Sequence, residues 1–171
     1  LNGLKQHELN KLFRKYAQEN RPQRFSRAIT RSRAVRKFNS TGEFAGLLAW
    51  VEIGKPNNFW NWHKKNFKNN ISKFGNYDRR ARFFQALRIA VNDEINNLQA
   101  ALPRALRVLK SGGRLAVITF HSLELAVVRD LANRCVDELE SLTPRPMQAT
   151  KEEINNNSRG RSAKLLAYKK K

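Results

Sequence analysis

The sequence predicts an α/β fold in its carboxyl-terminal half, preceded by a helical and strongly basic region. The first observation is an apolar stripe at helical spacing that begins at Phe84 and continues to Leu109. The second is the Gly112-Gly113 turn, which would end that helix because glycine readily adopts left-handed backbone. The third is an apolar run over residues 115–120, typical of a strand covered on both faces inside a parallel layer. Helix, strand and helix in this order indicate an α/β sheet rather than a helical bundle.

The opening third of the chain contains three predicted helices and no strand pattern. Apolar residues at helical spacing predict the first two helices, and arginines surround the second. Ser40 followed by Glu43 is a capping-box signature, which predicts the start of a third helix ending near Trp50. The apolar residues of the first two helices are Leu9, Leu12, Phe13 and Tyr16, and then Phe25, Ala28, Ile29, Ser32 and Val35.

Residues 54–82 mix aromatic and basic side chains and hold neither a helical nor a strand period for long. We interpret this segment as a long loop or short helical insertion that orders on a partner. Rings that stack on bases and cations that neutralise phosphates are what a single-stranded RNA surface requires. The alternative is that Trp50, Trp60 and Trp62 pack a small satellite core. The residues predicted to bind RNA are Lys55, Trp60, Trp62, Lys64, Lys65, Lys68, Arg79, Arg80 and Arg82.

The elements after residue 83 follow from the same patterns. Gly112-Gly113 comes after a helix and before a strand, so it predicts a turn and not the phosphate cradle that follows a strand and opens a helix. A further helix follows the strand, and alternation over residues 162–168 predicts a final strand. The apolar residues of the two helices are Phe84, Leu87, Val91, Ile95, Leu98, Leu102, Leu106 and Leu109, and then Leu123, Val127, Leu131 and Cys135.

The charge balance restricts the class of partner. Lys and Arg number 34 against 14 Asp and Glu, a net charge of +20 that favours a polyanion, of which nucleic acid is the first choice and an anionic membrane surface the rival. No apolar run is long enough to span a bilayer. Cys135 is the single cysteine, so we expect no disulfide framework and a reducing compartment. His7, His63 and His121 show no metal-ligand spacing, so we expect no metal.

The sequence Phe120-His121-Ser122 lies where the predicted buried strand ends. Ligands of open α/β sheets bind at the carboxyl ends of strands, so these residues are candidates for a pocket rim. In the functional interpretation Phe120 stacks on a flat group while His121 and Ser122 offer hydrogen bonds. In the alternative, Ser122 caps the next helix, Glu124 adds favourable charge to its first turn, and His121 is a partly buried loop residue.

Arg88 and Asn92 are the second set of candidates. They lie four residues apart on one face of the predicted helix, beside Gln85. Polar residues next to an apolar stripe usually form its solvated flank. In the functional interpretation, these side chains reach the pocket instead and support it.

Four motifs, in the same order, resemble the bacterial small-subunit rRNA (cytosine-N4)-methyltransferase family known as MraW or methyltransferase H. Weaker similarity in the first part of the chain looks like the helical insert of that family. The motifs are Phe84-Gln85-Ala86-Leu87-Arg88-Ile89 with Val91-Asn92-x-Glu94, Lys110-x-Gly112-Gly113-Arg114-Leu115, Phe120-His121-Ser122-Leu123-Glu124, and Arg159-x-Arg161-Ser162-Ala163-Lys164-Leu165.

The resemblance implies an incomplete class I, Rossmann-like, methyltransferase fold that depends on S-adenosylmethionine. Residues 1–82 would form a basic, helical RNA-recognition insert, and residues 83–171 would form the C-terminal part of the methyltransferase α/β domain. The family methylates the exocyclic N4 of a cytidine in small-subunit rRNA. The implied partner is therefore that rRNA or the small ribosomal subunit, with no membrane and a cytoplasmic location, and a homodimer is a further option.

The resemblance also implies roles for single residues. Phe120, His121 and Ser122 would line the cytosine side of the pocket, and Arg88 and Asn92 would support it. The family's glycine-rich loop for S-adenosylmethionine has no counterpart in these residues, so no cofactor ligand is assigned and we expect the chain to be inactive alone. The alternative is a non-catalytic remnant that binds rRNA or an assembling ribosomal subunit, with salt-sensitive RNA binding and no cofactor affinity.

Overall fold

The computed structural model describes residues 1–54, 58–66 and 77–171 and divides the chain into two compact units, Leu1–Asn92 and Asp93–Lys171. The described part of the first unit is helical. The domain boundary predicted from the sequence, after residue 82, falls inside the last helix of this unit. In the structure the first unit ends after that helix, at Asn92. The helices of this unit are α1 (Gln6–Tyr16), α2 (Pro22–Val35), α3 (Thr41–Glu52), α4 (Phe59–Asn66) and α5 (Tyr77–Asn92).

The core of the first unit forms where α1, α2 and α5 meet. The ring of Phe83 on α5 has its centroid 4.7 Å from the ring of Phe13 and 4.4 Å from the ring of Phe25. The predicted apolar faces of α1 and α2 are buried here, with Leu12 and Tyr16 packed at the margin. The exception is Val35, which is 67% exposed because it is the last residue of α2 and lies beyond the contact with the core.

The start of α3 confirms the capping prediction in part. The Oγ of Ser40 accepts a hydrogen bond from the backbone N–H of Glu43 at 3.2 Å. The carboxylate of Glu43 returns to the backbone N–H of Asn39, at 2.7 Å, and not to that of Ser40. The helix continues to Glu52, slightly beyond its predicted end near Trp50.

The long predicted stripe is divided between two helices that bury different faces. Asp93 has a φ of +52°, in the left-handed region, and it separates α5 from α6 (Glu94–Val108). The prediction holds for α6 but is wrong for α5, where Val91 is 83% exposed and Phe84 and Leu87 are only partly buried. The buried apolar residues are Phe83, Ala86 and Ile89 in α5, and Ile95, Leu102 and Leu106 in α6.

The second unit joins helices to a sheet, which confirms the mixed α/β class. In the described residues the strand order is β1-β4-β2, and β3 also pairs with β4. The final strand lies close to its predicted position. The remaining elements are β1 (Arg114–Thr119), α7 (Ser122–Arg134), β2 (Leu139–Ser141), β3 (Met147–Gln148), α8 (Lys151–Asn156), a 3-10 turn (Ser158–Ser162) and β4 (Lys164–Lys170).

The prediction that residues 115–120 lie inside a parallel layer, covered on both faces, is not met among the strands that the structure describes. β1 pairs antiparallel with β4, in a register that sets Leu115 opposite Tyr168, and it is an edge strand of the described sheet. Its side chains alternate between exposed and covered, and Ile118 is 59% exposed. An antiparallel sheet commonly keeps one face solvated, and an apolar run alone does not reveal how many faces are covered.

Candidate functional site

The junction between β1 and α7 is held by reciprocal hydrogen bonds around His121. This residue, and not Ser122 as in the capping alternative, is the N-cap of α7, and its Nδ1 accepts from the backbone N–H of Glu124 at 3.3 Å. The carboxylate oxygen Oε2 of Glu124 accepts from the backbone N–H groups of Phe120, at 2.7 Å, and His121, at 3.2 Å. Extended backbone at the N-cap and a glutamate three residues later are the ingredients of a capping box.

A cluster of two carboxylates and an imidazole lies at this junction. Ligand atoms of Glu94, His121 and Glu124 all fall within 4.8 Å of one another. The Nε2 of His121 is 3.3 Å from Oε1 of Glu124, and both side chains are largely covered. Glu94 is the first residue of α6, and the left-handed Asp93 sets the direction in which that helix begins. We refer to these three residues as the Glu94–His121–Glu124 cluster.

Glu94 is not among the site residues that the sequence predicts, and Glu124 is predicted only as a favourable charge at a helix start. Both glutamates lie in the motifs that resemble the family, and this resemblance is the sequence signal that could have identified them. Their mutual approach could not be seen, because it requires α6 and α7 to begin near the same end of β1.

The donor set of the cluster is better suited to hydrogen bonding than to a metal ion. A neutral imidazole has one protonated and one unprotonated nitrogen. Because Nδ1 of His121 accepts from a backbone N–H, the proton of the neutral ring is on Nε2, the atom that faces Glu124. A metal ligand needs an unprotonated nitrogen, so coordination through Nε2 would require the ring to give up its helix-capping bond.

Phe120 and Ser122 flank the cluster at the surface. Phe120 is 52% exposed, and Ser122 is exposed at the first position of α7. Of the three consecutive pocket candidates, Phe120 and Ser122 are thus open to solvent, whereas the imidazole of His121 is largely covered. A role in binding a base remains a prediction.

Arg88 and Asn92 lie in the first unit, on the exposed side of α5. Both line a groove of about 460 Å³ whose walls are mainly apolar and include Phe44, Phe84 and Leu87. Arg88 and Asn92 are exposed, as the solvated flank of a helix would be, but they also border a concave surface. The structure therefore agrees with part of each interpretation. Their supporting role in a pocket remains a prediction.

The aromatic candidates for RNA binding prove to be core residues in part. Trp60 is 6% exposed, and its indole Nε1 donates to the backbone carbonyl of Ser32 at 2.7 Å. The guanidinium of Arg36 lies 4.0 Å from the centroid of that ring. Burial of Trp60 favours packing over the predicted RNA surface, but Trp60 belongs to the main core of the unit and not to a small satellite core as in the alternative. Trp62 is partly buried against the same core.

The basic candidates divide into buried and exposed groups. Arg80 is buried, which corrects its assignment to an open surface. Lys64, Lys65 and Arg82 are exposed and stay in the proposed RNA surface. Lys55 and Lys68 lie outside the described residues.

Arg79 is committed to a carboxylate within the first unit. Its Nε and Nη2 atoms each donate to the carboxylate of Glu19, at 2.8 Å, and Glu19 is only 5% exposed. Burial raises the pKa of the Glu19 carboxyl, but hydrogen bonds from Arg79 and from the backbone N–H of Arg21 outweigh it, so the pKa lies below its ordinary value of 4.5. This geometry assigns Arg79 to the fold and not to an RNA surface.

The Glu19→Gln substitution is expected to lower the free energy of unfolding by about 1–3 kcal/mol near neutral pH. The folded pKa of Glu19 lies below the unfolded one, so the ion pair contributes fully above the unfolded value near 4.5 and is lost as pH falls through the folded pKa. Urea unfolding followed by tryptophan fluorescence should therefore show a difference from the wild type that narrows below that pH. Asp78→Asn, at an exposed carboxylate, is the control, and a Glu19→Gln difference independent of pH would contradict the assignment.

The glycine turn before β1 does not fit a nucleotide-like cofactor. The backbone N–H of Gly112 donates to Lys170 O at 2.8 Å, and that of Gly113 donates to Lys110 O at 2.9 Å. A Cβ on Gly113 would lie 2.8 Å from Lys110 O, which explains the glycine by close backbone approach. Because both amides are occupied within the fold, the turn prediction is confirmed and these glycines offer no cradle for S-adenosylmethionine.

Comparisons with known proteins agree with the motifs. A model of the MraW methylase family matches residues 1–171. The chain is 35% identical over 170 residues to ribosomal RNA small subunit methyltransferase H of Bdellovibrio bacteriovorus, covering 99% of this chain and 46% of that protein. It is 36% identical to the protein of the same name from Coprothermobacter proteolyticus, covering 99% and 51%. For Trichormus variabilis the identity is 37%, covering 96% and 47%. The chain thus spans about half the length of these curated relatives.

Proposed function

The chain belongs to the MraW methylase family, and from this premise we propose that it forms the substrate-side part of an enzyme that methylates N4 of a cytidine in small-subunit rRNA. The name of its relatives, ribosomal RNA small subunit methyltransferase H, supports rRNA as the substrate. A class I methyltransferase fold and S-adenosylmethionine as methyl donor are part of the proposal. The single observation that carries it is the Glu94–His121–Glu124 cluster beside the exposed ring of Phe120.

The chemistry of the target explains why such a cluster is useful. The lone pair of an exocyclic amine is delocalised into the pyrimidine ring, so the amine is a poor nucleophile. As the new N–C bond forms, positive charge grows on N4 and one of its protons must leave. Carboxylate oxygens that accept hydrogen bonds from the amine stabilise that charge and orient the lone pair toward the methyl group.

We assign different tasks to the two carboxylates. The Glu124 carboxylate already accepts two backbone hydrogen bonds and faces His121, so it is a positioning residue that fixes the imidazole. Glu94 comes from another helix, and its carboxylate lies within 4.8 Å of the ligand atoms of His121 and Glu124. In this proposal Glu94 accepts a hydrogen bond from N4, in addition to the contacts it makes within the fold. Phe120 would stack on the extruded base, as flipped bases commonly do on aromatic side chains.

The cofactor is held by groups outside these 171 residues in this proposal. The glycine turn lacks spare amides, and the junction after β1 uses its backbone N–H groups for helix capping. The chain's own contribution is to receive the base, orient the amine and accept its proton.

The decisive experiment uses the complete protein that contains these residues, small-subunit rRNA and labelled S-adenosylmethionine. Nuclease digestion and mass spectrometry of the RNA should give N4-methylcytidine, and the His121→Ala/Ser122→Ala double variant should form it more slowly. A methyl group on C5 of the pyrimidine, or undiminished N4 methylation by the double variant, would contradict the proposal. RNA binding that is sensitive to salt, with no methylation and no affinity for the methyl donor, would favour the non-catalytic remnant instead.

A further inference from the structure

The exposed face of α2 presents a row of arginines opposite the face that packs into the core. Arg24, Arg27 and Arg31 are exposed, whereas Phe25 and Ile29 between them are buried. Spacings of three and four residues place the three guanidinium groups on one side of the helix. With a rise of about 1.5 Å per residue, the row extends roughly 10 Å along the helix axis.

A hollow of about 280 Å³ lies beside this row, between α2 and the end of α3. Arg24, Arg27 and Arg31 line one side of the hollow, and Trp50 and Val51 line the other. The Nη2 of Arg24 donates to the backbone carbonyl of Val51 at 2.9 Å. That bond places its guanidinium at the carboxyl end of α3, where positive charge is favoured. We refer to this surface as the α2 arginine hollow.

The charge of the hollow is not balanced within the fold. Among the residues that the structure describes, none of Arg24, Arg27 and Arg31 forms an ion pair with a carboxylate, whereas Arg36 and Arg79 both do. The indole Nε1 of Trp50 is buried and has no hydrogen-bond acceptor in the same part of the chain. Three exposed guanidinium groups without a carboxylate partner match a ligand that is anionic and rich in acceptor oxygens.

We propose that the α2 arginine hollow binds successive phosphates of a single-stranded RNA segment, a site that rests on the proposed function and whose arginines are not among the RNA-binding residues predicted from the sequence. Guanidinium groups hold phosphate oxygens through paired N–H donors. A linear row suits a linear polyanion. A membrane-surface helix would in addition carry several large apolar side chains for insertion, whereas the exposed residues beside these arginines include Gln23 and Ala34, and Val35 at the last position of α2 is the one large apolar residue of this helix that is exposed.

The test measures binding of the 171-residue chain to a labelled single-stranded RNA across a range of salt concentrations. Each phosphate contact contributes about 0.7 to the slope of log Kd against log salt for a single strand. The Arg27→Gln/Arg31→Gln variant should lose about 1.4 from that slope. Its affinity should fall to a similar extent for RNAs of different sequence, because phosphates carry no base information. Arg27→Lys/Arg31→Lys should keep most of the slope.

The matched control removes the same charge elsewhere in the first unit. Lys11→Gln/Lys15→Gln alters two exposed lysines on α1. If the slope of log Kd against log salt falls equally in Arg27→Gln/Arg31→Gln and in Lys11→Gln/Lys15→Gln, RNA binding depends on the overall charge and the inference is wrong. Binding to vesicles containing phosphatidylserine that single-stranded RNA does not displace would also overturn it, in favour of a lipid surface. Thermal unfolding of every variant establishes that the fold is retained.

Failure of this site and failure of the proposed function give different results. If Arg27→Gln/Arg31→Gln binds RNA as the wild type does while the complete protein still forms N4-methylcytidine, the hollow is wrong and the function stands. If the variant loses the expected slope but the complete protein methylates no RNA, the hollow is correct and the function is wrong.

Discussion

Glu94→Gln in the complete protein is expected to lower kcat for RNA methylation by about 10²-fold, the lower end of what a positioned proton acceptor contributes. The amide is close in size to the carboxylate but carries no charge, so it stabilises the positive charge on N4 poorly. KM for the RNA should stay within about twofold, because an interaction that matters only in the transition state changes kcat and not substrate binding. Single-turnover rates at saturating RNA are the measurement.

Two further variants separate the roles within the Glu94–His121–Glu124 cluster. Glu124→Gln should have a smaller effect than Glu94→Gln, because glutamine also serves in a capping box and keeps the start of α7. Glu152→Gln, on the exposed surface of α8, is the control for loss of a carboxylate in the same unit. An unchanged kcat for Glu94→Gln, or a defect confined to KM, would remove Glu94 from contact with the reacting amine.

Phe83→Ala is expected to have the largest effect on stability, a loss of about 3–5 kcal/mol in the free energy of unfolding. Phe83 is 1% exposed and packs against the rings of Phe13 and Phe25, so alanine would leave a cavity where three helices meet. The three tryptophans, Trp50, Trp60 and Trp62, all lie in the first unit, so their fluorescence reports its unfolding specifically. Urea titration with this probe is the measurement.

The neighbouring phenylalanine provides a stringent control. Phe84 is partly buried beside the groove, with its ring centroid 5.1 Å from that of Phe44, and Phe84→Ala should cost clearly less than Phe83→Ala. The sequence-based stripe predicts the reverse order, because it includes Phe84 and omits Phe83. If Phe83→Ala does not fold, Phe83→Leu gives a milder loss of the same sign. A larger cost for Phe84→Ala would contradict the packing described for α5.

Periodicity predicted local elements well where one face of a helix meets a core. Apart from Val35, α1 and α2 bury or partly bury the residues that their spacing indicated, and Ser40 marks a helix start as expected. Gly112 does not end α6 as predicted, because that helix ends at Val108 with extended backbone at Leu109, and Gly112 lies in the separate turn before β1. These signals are local, because they arise from hydrogen bonds and backbone conformation within a few residues. The phase of α5 could not be predicted in this way, since the stripe of Phe84, Leu87 and Val91 is as regular as the face that is buried.

The candidate site likewise contains some features that depend on neighbouring residues and others that depend on contacts between distant residues. Phe120, His121 and Ser122 could be found from the sequence because they follow a recognisable strand and match a motif. The pairing of β1 with β4, the burial of Trp60, and the approach of Glu94 to His121 all join residues far apart in the chain.

The amino-acid sequence by itself determined the family, the basic character, the order of most helices and strands, and the candidates at the end of β1. Only the tertiary structure decided that β1 pairs antiparallel with β4, that Arg79 pairs with Glu19, and that Arg24, Arg27 and Arg31 line one hollow beside α3. The physical reason is that composition and spacing specify which groups are present and how nearby residues are arranged. Which charges are neutralised and which aromatic rings are covered depends on contacts between distant segments, and those exist only in the folded chain.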